Sequence, residues 1–213
     1  DQPMGFCLIN NVAVGAASLV ERGERVAIID WDVHHGNGTQ EIFWEDPSVL
    51  YVSTHQWPWF PGTGRLEECG GESAPGLTVN IPLPAGATGD VLLRGFDEVV
   101  APIVDGFDPS WVLVSAGFDA HRADPLGGLS LSAGDFADLA TRVKQMFPSS
   151  GRLVFLLEGG YDEDALASSV GATLASVLEL PYRPEASSSG GPGAEAIDAA
   201  RRLHVEGHLR TAR

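Results

Sequence analysis

Side chains able to do chemistry gather in this sequence at the ends of apolar runs. Asp30-Trp31-Asp32-Val33-His34-His35 follows one such run, Ser53-Thr54-His55 a second, Phe118-Asp119-Ala120-His121 a third and Glu158-Gly159-Gly160-Tyr161 a fourth. Asp32 and His34 are two apart, so a backbone that leaves its strand extended projects them from one face, with Asp30 on that face too. A carboxylate beside an imidazole makes two ligands for a divalent ion, and Asp119 supplies a third. Such a set leaves positions for water and substrate, the arrangement of a catalytic zinc site rather than a closed structural one. Taken singly, an Asp or His at a strand end is more often a helix cap or a hydrogen-bonded loop residue. Clustered before the turn Gly36-Asn37-Gly38, these residues are poorly explained as caps. Two carboxylates and one imidazole do not select strongly for zinc, so iron(II) or cobalt(II) also suits the set.

The elements that must position these groups are legible from patterning. Arg25 to Asp30, Val49 to Ser53, Trp111 to Ser115 and Leu153 to Leu157 are nearly continuously apolar, as buried parallel strands are. Leu77 to Pro82 is a weaker strand whose proline suits a sheet edge. Helical spacing runs through Asn11 to Glu21, Asp90 to Val104, Ala133 to Phe147 and Glu163 to Leu180, and the alternation indicates an α/β fold with crossover helices. In such sheets ligands bind outside the carboxyl ends of the strands, which is where the polar runs lie. Residues 1–180 form one domain. The Ser/Gly-rich stretch 181–193 has the composition of a flexible linker. Residues 194–213 follow as a C-terminal helix with Ile197, Ala200, Leu203 and Leu209 turned to the body.

Composition narrows the function classes. The sequence has 213 residues, 44% of them hydrophobic, with a formal net charge of −16 and two cysteines, Cys7 and Cys69. A chain so acidic repels phosphates, which excludes direct nucleic-acid binding as the expectation and favours cationic partners. Two cysteines are too few for a disulfide framework or a four-cysteine metal site, and Cys7 is expected as a small buried hydrophobe. No apolar run approaches the roughly 20 residues that span a bilayer. The start lacks the basic and apolar regions of a signal peptide, so a cytoplasmic protein is expected.

The segment Asp30 to Thr39 resembles the metal motif of the histone deacetylase and acetylpolyamine amidohydrolase family. Gly5-Phe6-Cys7-Leu8-Ile9-Asn10-Asn11, Phe60-Pro61-Gly62-Thr63-Gly64, Ser115-Ala116-Gly117-Phe118-Asp119-Ala120-His121 and Leu157-Glu158-Gly159-Gly160-Tyr161 resemble further family blocks in the same order. Ordered blocks over roughly Gly5 to Leu180 are far more specific than one motif. The wording is similar to the class II branch and its bacterial relatives.

The resemblance implies the three-layer arginase/deacetylase fold with a mostly parallel central sheet, here lacking its N-terminal strands. It also implies hydrolysis of an acetylated amine to acetate and free amine. Asp32, His34 and Asp119 match the zinc ligands, and Tyr161 the tyrosine that donates to the developing oxyanion. The plainer alternative for Tyr161 is a core aromatic. Phe6 and Phe60 match the walls of an acyl-lysine channel, Gly5 a carbonyl that accepts from the substrate amide, and Leu126 a rim gatekeeper. Asp30, Ser53 and Thr54, with the carbonyls of Asp32 and His34, match a buried potassium site. Asn37 matches the position that bonds the second histidine of a tandem pair, the family's proton-transfer apparatus.

That pair lies just before the GFC block, where this sequence has only Asp1-Gln2-Pro3-Met4. His35 is no substitute, because it neighbours a ligand and points to the opposite face. Residues 1–213 alone are therefore expected to be an impaired protein lysine deacetylase. Its substrates are expected to be acetylated lysine peptides such as histone tails, or a small acetylated amine. An acetylpolyamine amidohydrolase is the first alternative; it would want carboxylates at the rim, where Leu126 stands. A non-catalytic acyl-lysine-binding module is the second, favoured by the absent pair and opposed by Tyr161 and the complete ligand set.

Overall fold

A computed structural model describes residues 3–147 and 151–207. Its β-branched and aliphatic runs form five strands: β1 (Val26–Asp30), β2 (Val49–Gln56), β3 (Thr78–Leu83), β4 (Trp111–Ala116) and β5 (Leu153–Leu157). They pair in the order β3-β2-β1-β4-β5, every pair parallel. After β1 the chain adds β2 and β3 on one side, then returns to place β4 and β5 on the other. The order therefore reverses between β1 and β4, the switch point at which such sheets leave a crevice beyond their carboxyl ends. Register holds the ends level there, with Asp30 beside both Ser53 and Ser115, and Ala116 beside Leu157.

Alternation sorts the strand residues between two helix layers. Ile28, Tyr51 and Leu113 pack with Val12, Ala13 and Ala16 of α1 (Asn11–Val20) and Phe43 of α2 (Asn37–Phe43). Ala27, Ile29, Leu50, Val79, Ile81 and Val114 face the opposite way. There they meet α3 (Gly89–Gly95), a π-helical turn (Phe96–Val100), α4 (Ala101–Phe107) and α5 (Ala133–Met146). Against α5 lies α6 (Glu163–Leu178), where Ala133, Ala137 and Ala172 meet. Among the described residues no helix is long and apolar enough to cross a membrane.

Several expectations change. α2 was not legible, because its seven residues NGTQEIF bury only Thr39 and Phe43 and so carry no helical stripe. β5 is only partly buried: Val154 and Leu157, which alternate to opposite faces, are exposed at this sheet edge, while Leu153 and Phe155 pack on one core and Leu156 on the other. Cys7 is exposed rather than buried.

Residues 181–193, read from composition as a flexible linker, form a strap fastened along its length. Ser132 Oγ donates to the Ala186 carbonyl at 2.8 Å, Gly89 N to Ser188 Oγ at 2.8 Å, and Gly191 N to Thr88 Oγ1 at 2.8 Å. The buried Asp135 accepts from Ser188 N and Oγ, while Glu185 accepts from Ala133 N, so that Glu185, Ala186 and Ser188 of the strap all hold the start of α5. After the strap comes α7 (Ala194–Ala200), which buries Ile197 and Ala200 and runs into a π-helical segment (Arg201–Glu206). There His204 faces inward in place of Leu203, because the segment presents position 204 to the body. Leu209 lies outside the described residues.

Candidate metal centre and active site

β1 ends in Asp30, and the loop that follows, bent at Val33 and His34 and braced by Asp32 N on Asp30 Oδ1 and His34 N on Asp32 Oδ1, brings Asp32 and His34 into the crevice. Asp119 enters from the loop after β4, across the switch point. His34 Nδ1 lies 3.1 Å from Asp32 Oδ1 and 3.1 Å from Asp119 Oδ2. One ligating atom from each of the three residues lies within 4.8 Å of the others.

The remaining carboxylate oxygens are held by backbone. Val33 N donates to Asp119 Oδ1 at 2.9 Å and Gly159 N to Asp32 Oδ2 at 3.0 Å. Donors behind the ligands fix the direction in which the free lone pairs point, as the outer shell of a metal site does.

Charge balance shows that the cluster wants a cation. Burial disfavours the His34 imidazolium, but the hydrogen bonds and charges of Asp119 and Asp32 outweigh it and hold the group up to about 10. Burial and then the Asp32 charge push Asp119 up to about 7, against its hydrogen bond with His34. Two carboxylates so close to one imidazole favour a positive charge between them, and a divalent ion bound there would take the place of the imidazolium proton. Burial and Asp32 also push the Asp30 carboxyl well above the usual range.

Two glycines make the cluster possible, by space rather than flexibility. A Cβ on Gly159 would lie 2.1 Å from Asp119 Oδ2 and 2.8 Å from Asp32 Oδ2, and one on Gly117 would lie 2.2 Å from Asp32 Oδ2. Oxygen-donor convergence, an imidazole and a cradle that a methyl would fill suit a divalent ion held by Asp32, His34 and Asp119. Gly159→Ala is accordingly expected to weaken zinc binding about 10–100-fold, the scale on which supports behind a ligand act. Competition with a chelating dye would measure it; an unchanged zinc affinity would show that the carboxylates do not need this approach.

Around the cluster stand the other residues singled out in the sequence. Phe6 packs edge-on to Tyr161, ring centroids 6.0 Å apart, and Phe60 packs edge-on to His34 at 6.1 Å. Gly5 lies against Phe60, whose ring edge is 3.7 Å from where a Cβ would be. Tyr161 is partly exposed, and burial followed by the charges of Asp119 and Asp32 push its phenol up to about 12. The Leu126 carbonyl accepts from Trp59 Nε1 at 3.1 Å, tying together the loops that carry Leu126 and Phe60.

Asp30 is buried, accepting from Asp32 N at 3.1 Å and Tyr51 OH at 3.0 Å. Thr54 Oγ1 points at its carbonyl, whereas Ser53 Oγ is bonded to His55 Nδ1 at 2.9 Å. Asn37 opens α2 and lines a shallow pocket with Gln40, Trp44, Thr63 and Glu68, away from the ligand cluster.

His35 turns away from the ligands, bonded to Thr63 Oγ1 and Gln40 Oε1. His55 bonds the Gly64 carbonyl and His121 bonds Glu185. Sequence reasoning missed the crowding at Gly117 and Gly159 and the carboxylate of Asp124, and it named Glu158 without giving it a role. Glu158 accepts from Ser115 Oγ at 2.7 Å and is raised by burial and by Asp32. A glycine directly before or after a polar strand end was the available signal for the first.

Comparison with known proteins places this arrangement. Residues 1–177 match the histone deacetylase domain family. The sequence is 47% identical over 184 residues to "Histone deacetylase 10, chloroplastic" of Oryza sativa subsp. japonica, covering 84% of this chain and 41% of that protein. It is 43% identical over 194 residues to a "Probable deacetylase" of Archaeoglobus fulgidus, covering 85% and 54%. The solved HDA15 HD domain superposes with a TM-score of 0.87 at 35% identity, covering 99% of this chain and 59% of that one. The histone deacetylase Clr3 superposes at 0.85 and 37% identity, covering 93% and 35%. The chain spans about half the length, or less, of these curated relatives.

Proposed function

The chain belongs to the histone deacetylase family, and from that premise we propose that it carries the metal centre of a zinc-dependent hydrolase of acetylated amines, acting on acetyl-lysine in proteins. The observation that carries the reading is the convergence of Asp32, His34 and Asp119 with the Tyr161 loop at the sheet's switch point. A divalent ion held by those three residues supplies Lewis acidity to the acyl carbonyl and to the attacking water.

The chain's own residues do the rest. Phe6 and Phe60 flank the approach to the cluster and fit the methylene stem of an acylated lysine. The Gly5 carbonyl is available to the amide N–H of the substrate. Tyr161, raised to about 12, keeps its proton at neutral pH and so can donate a hydrogen bond as charge builds on the carbonyl oxygen. Water adds to the acyl carbon, the C–N bond breaks, and the amine leaves with a proton. Leu126 and Trp59 give the rim an apolar, aromatic character that suits a peptide better than a polyamine. A potassium ion beside Asp30 fits the same reading: its recorded donors are a backbone N–H and the Tyr51 hydroxyl, with no basic side chain among the described residues.

Proton transfer calls for an imidazole that His34, His35, His55 and His121 do not offer. His34 is committed to the ligand cluster, and His35, His55 and His121 are bonded elsewhere. We assign the step to the family's tandem His pair and expect residues 1–213 alone to work about 10²–10⁴-fold more slowly than a form that has it. The test is acetate release by the full-length gene product, loaded with zinc, from an acetyl-lysine peptide and from an acetylated polyamine. Faster release from the peptide is expected. Tight zinc binding without release from either substrate would rule the reading out and favour a binding module.

A further inference from the structure

Asp124 is 7% exposed, and all its recorded donors are backbone N–H groups. Its Oδ1 accepts from Leu126 N at 2.9 Å; its Oδ2 accepts from Tyr161 N at 2.7 Å and from Asp162 N at 3.3 Å. One carboxylate therefore grips the loop after β4 and the loop after β5, which are far apart in the chain. Each grip continues outward. Leu126 is held at its carbonyl by Trp59 Nε1, and Asp162 caps α6 by accepting from Ala165 N at 2.8 Å. Tyr161 itself is exposed and directly follows Gly159 and Gly160, the latter at positive φ, so its position depends on its backbone anchor.

Three N–H groups converge on two oxygens, an arrangement only a carboxylate completes. A side-chain amide offers one oxygen and would turn an NH₂ toward at least one of the donors.

We propose that Asp124 is a positioning residue that fixes the Tyr161 hydroxyl relative to the ligand cluster and the Leu126 side chain at the rim as a single unit. The proposal rests on the deacetylase reading for its catalytic consequence and on the hydrogen bonds alone for its structural one. Misplacement of a reacting group by about 1 Å can cost about 10²-fold. Asp124→Asn should therefore lower kcat by about 10-fold to 10²-fold with zinc content unchanged, acting through the tyrosine.

Two measurements test it on the full-length gene product. The first is a double-mutant cycle: in a Tyr161→Phe background, Asp124→Asn should cost less than about 3-fold more, since the group it positions is already gone. Equal losses in both backgrounds would overturn the proposal, because a merely structural role would act whether or not the hydroxyl is present. The second is amide hydrogen exchange, which needs no activity: protection at Tyr161 and Asp162 should fall in Asp124→Asn while β1 and β4 stay protected. Unchanged protection at those amides would also overturn it. If Asp124→Asn does not fold, Asp124→Glu, which displaces the carboxylate by one methylene, is read in the same way. An inactive wild type would count against the deacetylase reading alone, and the exchange result would still decide the positioning role.

Discussion

Asp119→Ala is expected to leave the protein unable to retain zinc. Asp119 is fully buried and is one of the three ligating residues that converge among the described residues. The two that remain, Asp32 and His34, belong to one short loop after β1 and can hold a metal from one side only. Elemental analysis after dialysis should fall from about one equivalent per chain to near zero, since three protein ligands are the minimum of such sites. The alanine also strands Val33 N, whose acceptor at 2.9 Å disappears, so some loss of stability accompanies it. Asp119→Asn separates the effects: its oxygen can still accept from Val33 N while the charge facing His34 is gone. Metal loss in both variants assigns the effect to the charge. One equivalent of tightly bound zinc in Asp119→Ala would remove Asp119 from the ligand set.

Tyr161→Phe should cut kcat by at least about 10²-fold, because a preorganised donor to a developing oxyanion is worth about 2.7–4 kcal/mol of barrier. Zinc content and fold should be unchanged, since the phenyl ring keeps its edge contact with Phe6 and the Asp124 bond is made by the backbone. The loss should also be constant between pH 6 and 9, as a phenol raised to about 12 by burial and by Asp119 and Asp32 does not ionise there. Unchanged turnover on an acetyl-lysine peptide would make Tyr161 a wall of the pocket. A loss confined to high pH would point to its titration instead.

What could be read from the sequence depended on how local the cause was. β1 and β4 announce themselves because every side chain in a parallel strand covered on both faces is apolar, and their polar carboxyl ends then mark the crevice. Asp32, His34 and Asp119 were legible for the same reason, together with a family resemblance that ordered the blocks. Asp124 was hidden: a lone Asp before a Pro looks like any turn residue, and its worth lies in Tyr161 N, which only the tertiary fold brings to it. Gly159 looked like no more than one residue of the Glu158-Gly159-Gly160-Tyr161 run. Its function is instead to let two carboxylates approach, and Asp32, one of them, is 127 positions away in the chain. The strap over 181–193 has a linker's composition because its serines and glycines bond through backbone and hydroxyl groups, and such bonds leave no hydropathy signature. β5 misled in the opposite sense, since an apolar edge strand and a buried one are spelled alike.

The ligand cluster joins the carboxyl ends of β1 and β4, and Gly159 N brings in the end of β5. Opening any of these three strands dismantles the centre, so an ion held there would bind the folded sheet and not its partly open forms. By mass action, zinc at about 100 times its dissociation constant then adds about 2.7 kcal/mol to the stability of the whole sheet. The exposed edge strand β5 shares in this, although none of its own side chains is a ligand. With zinc as the ion, the melting temperature of the protein would therefore rise with the free zinc around it. Metal depletion would be felt first as fraying at β5, the strand with the least covering of its own.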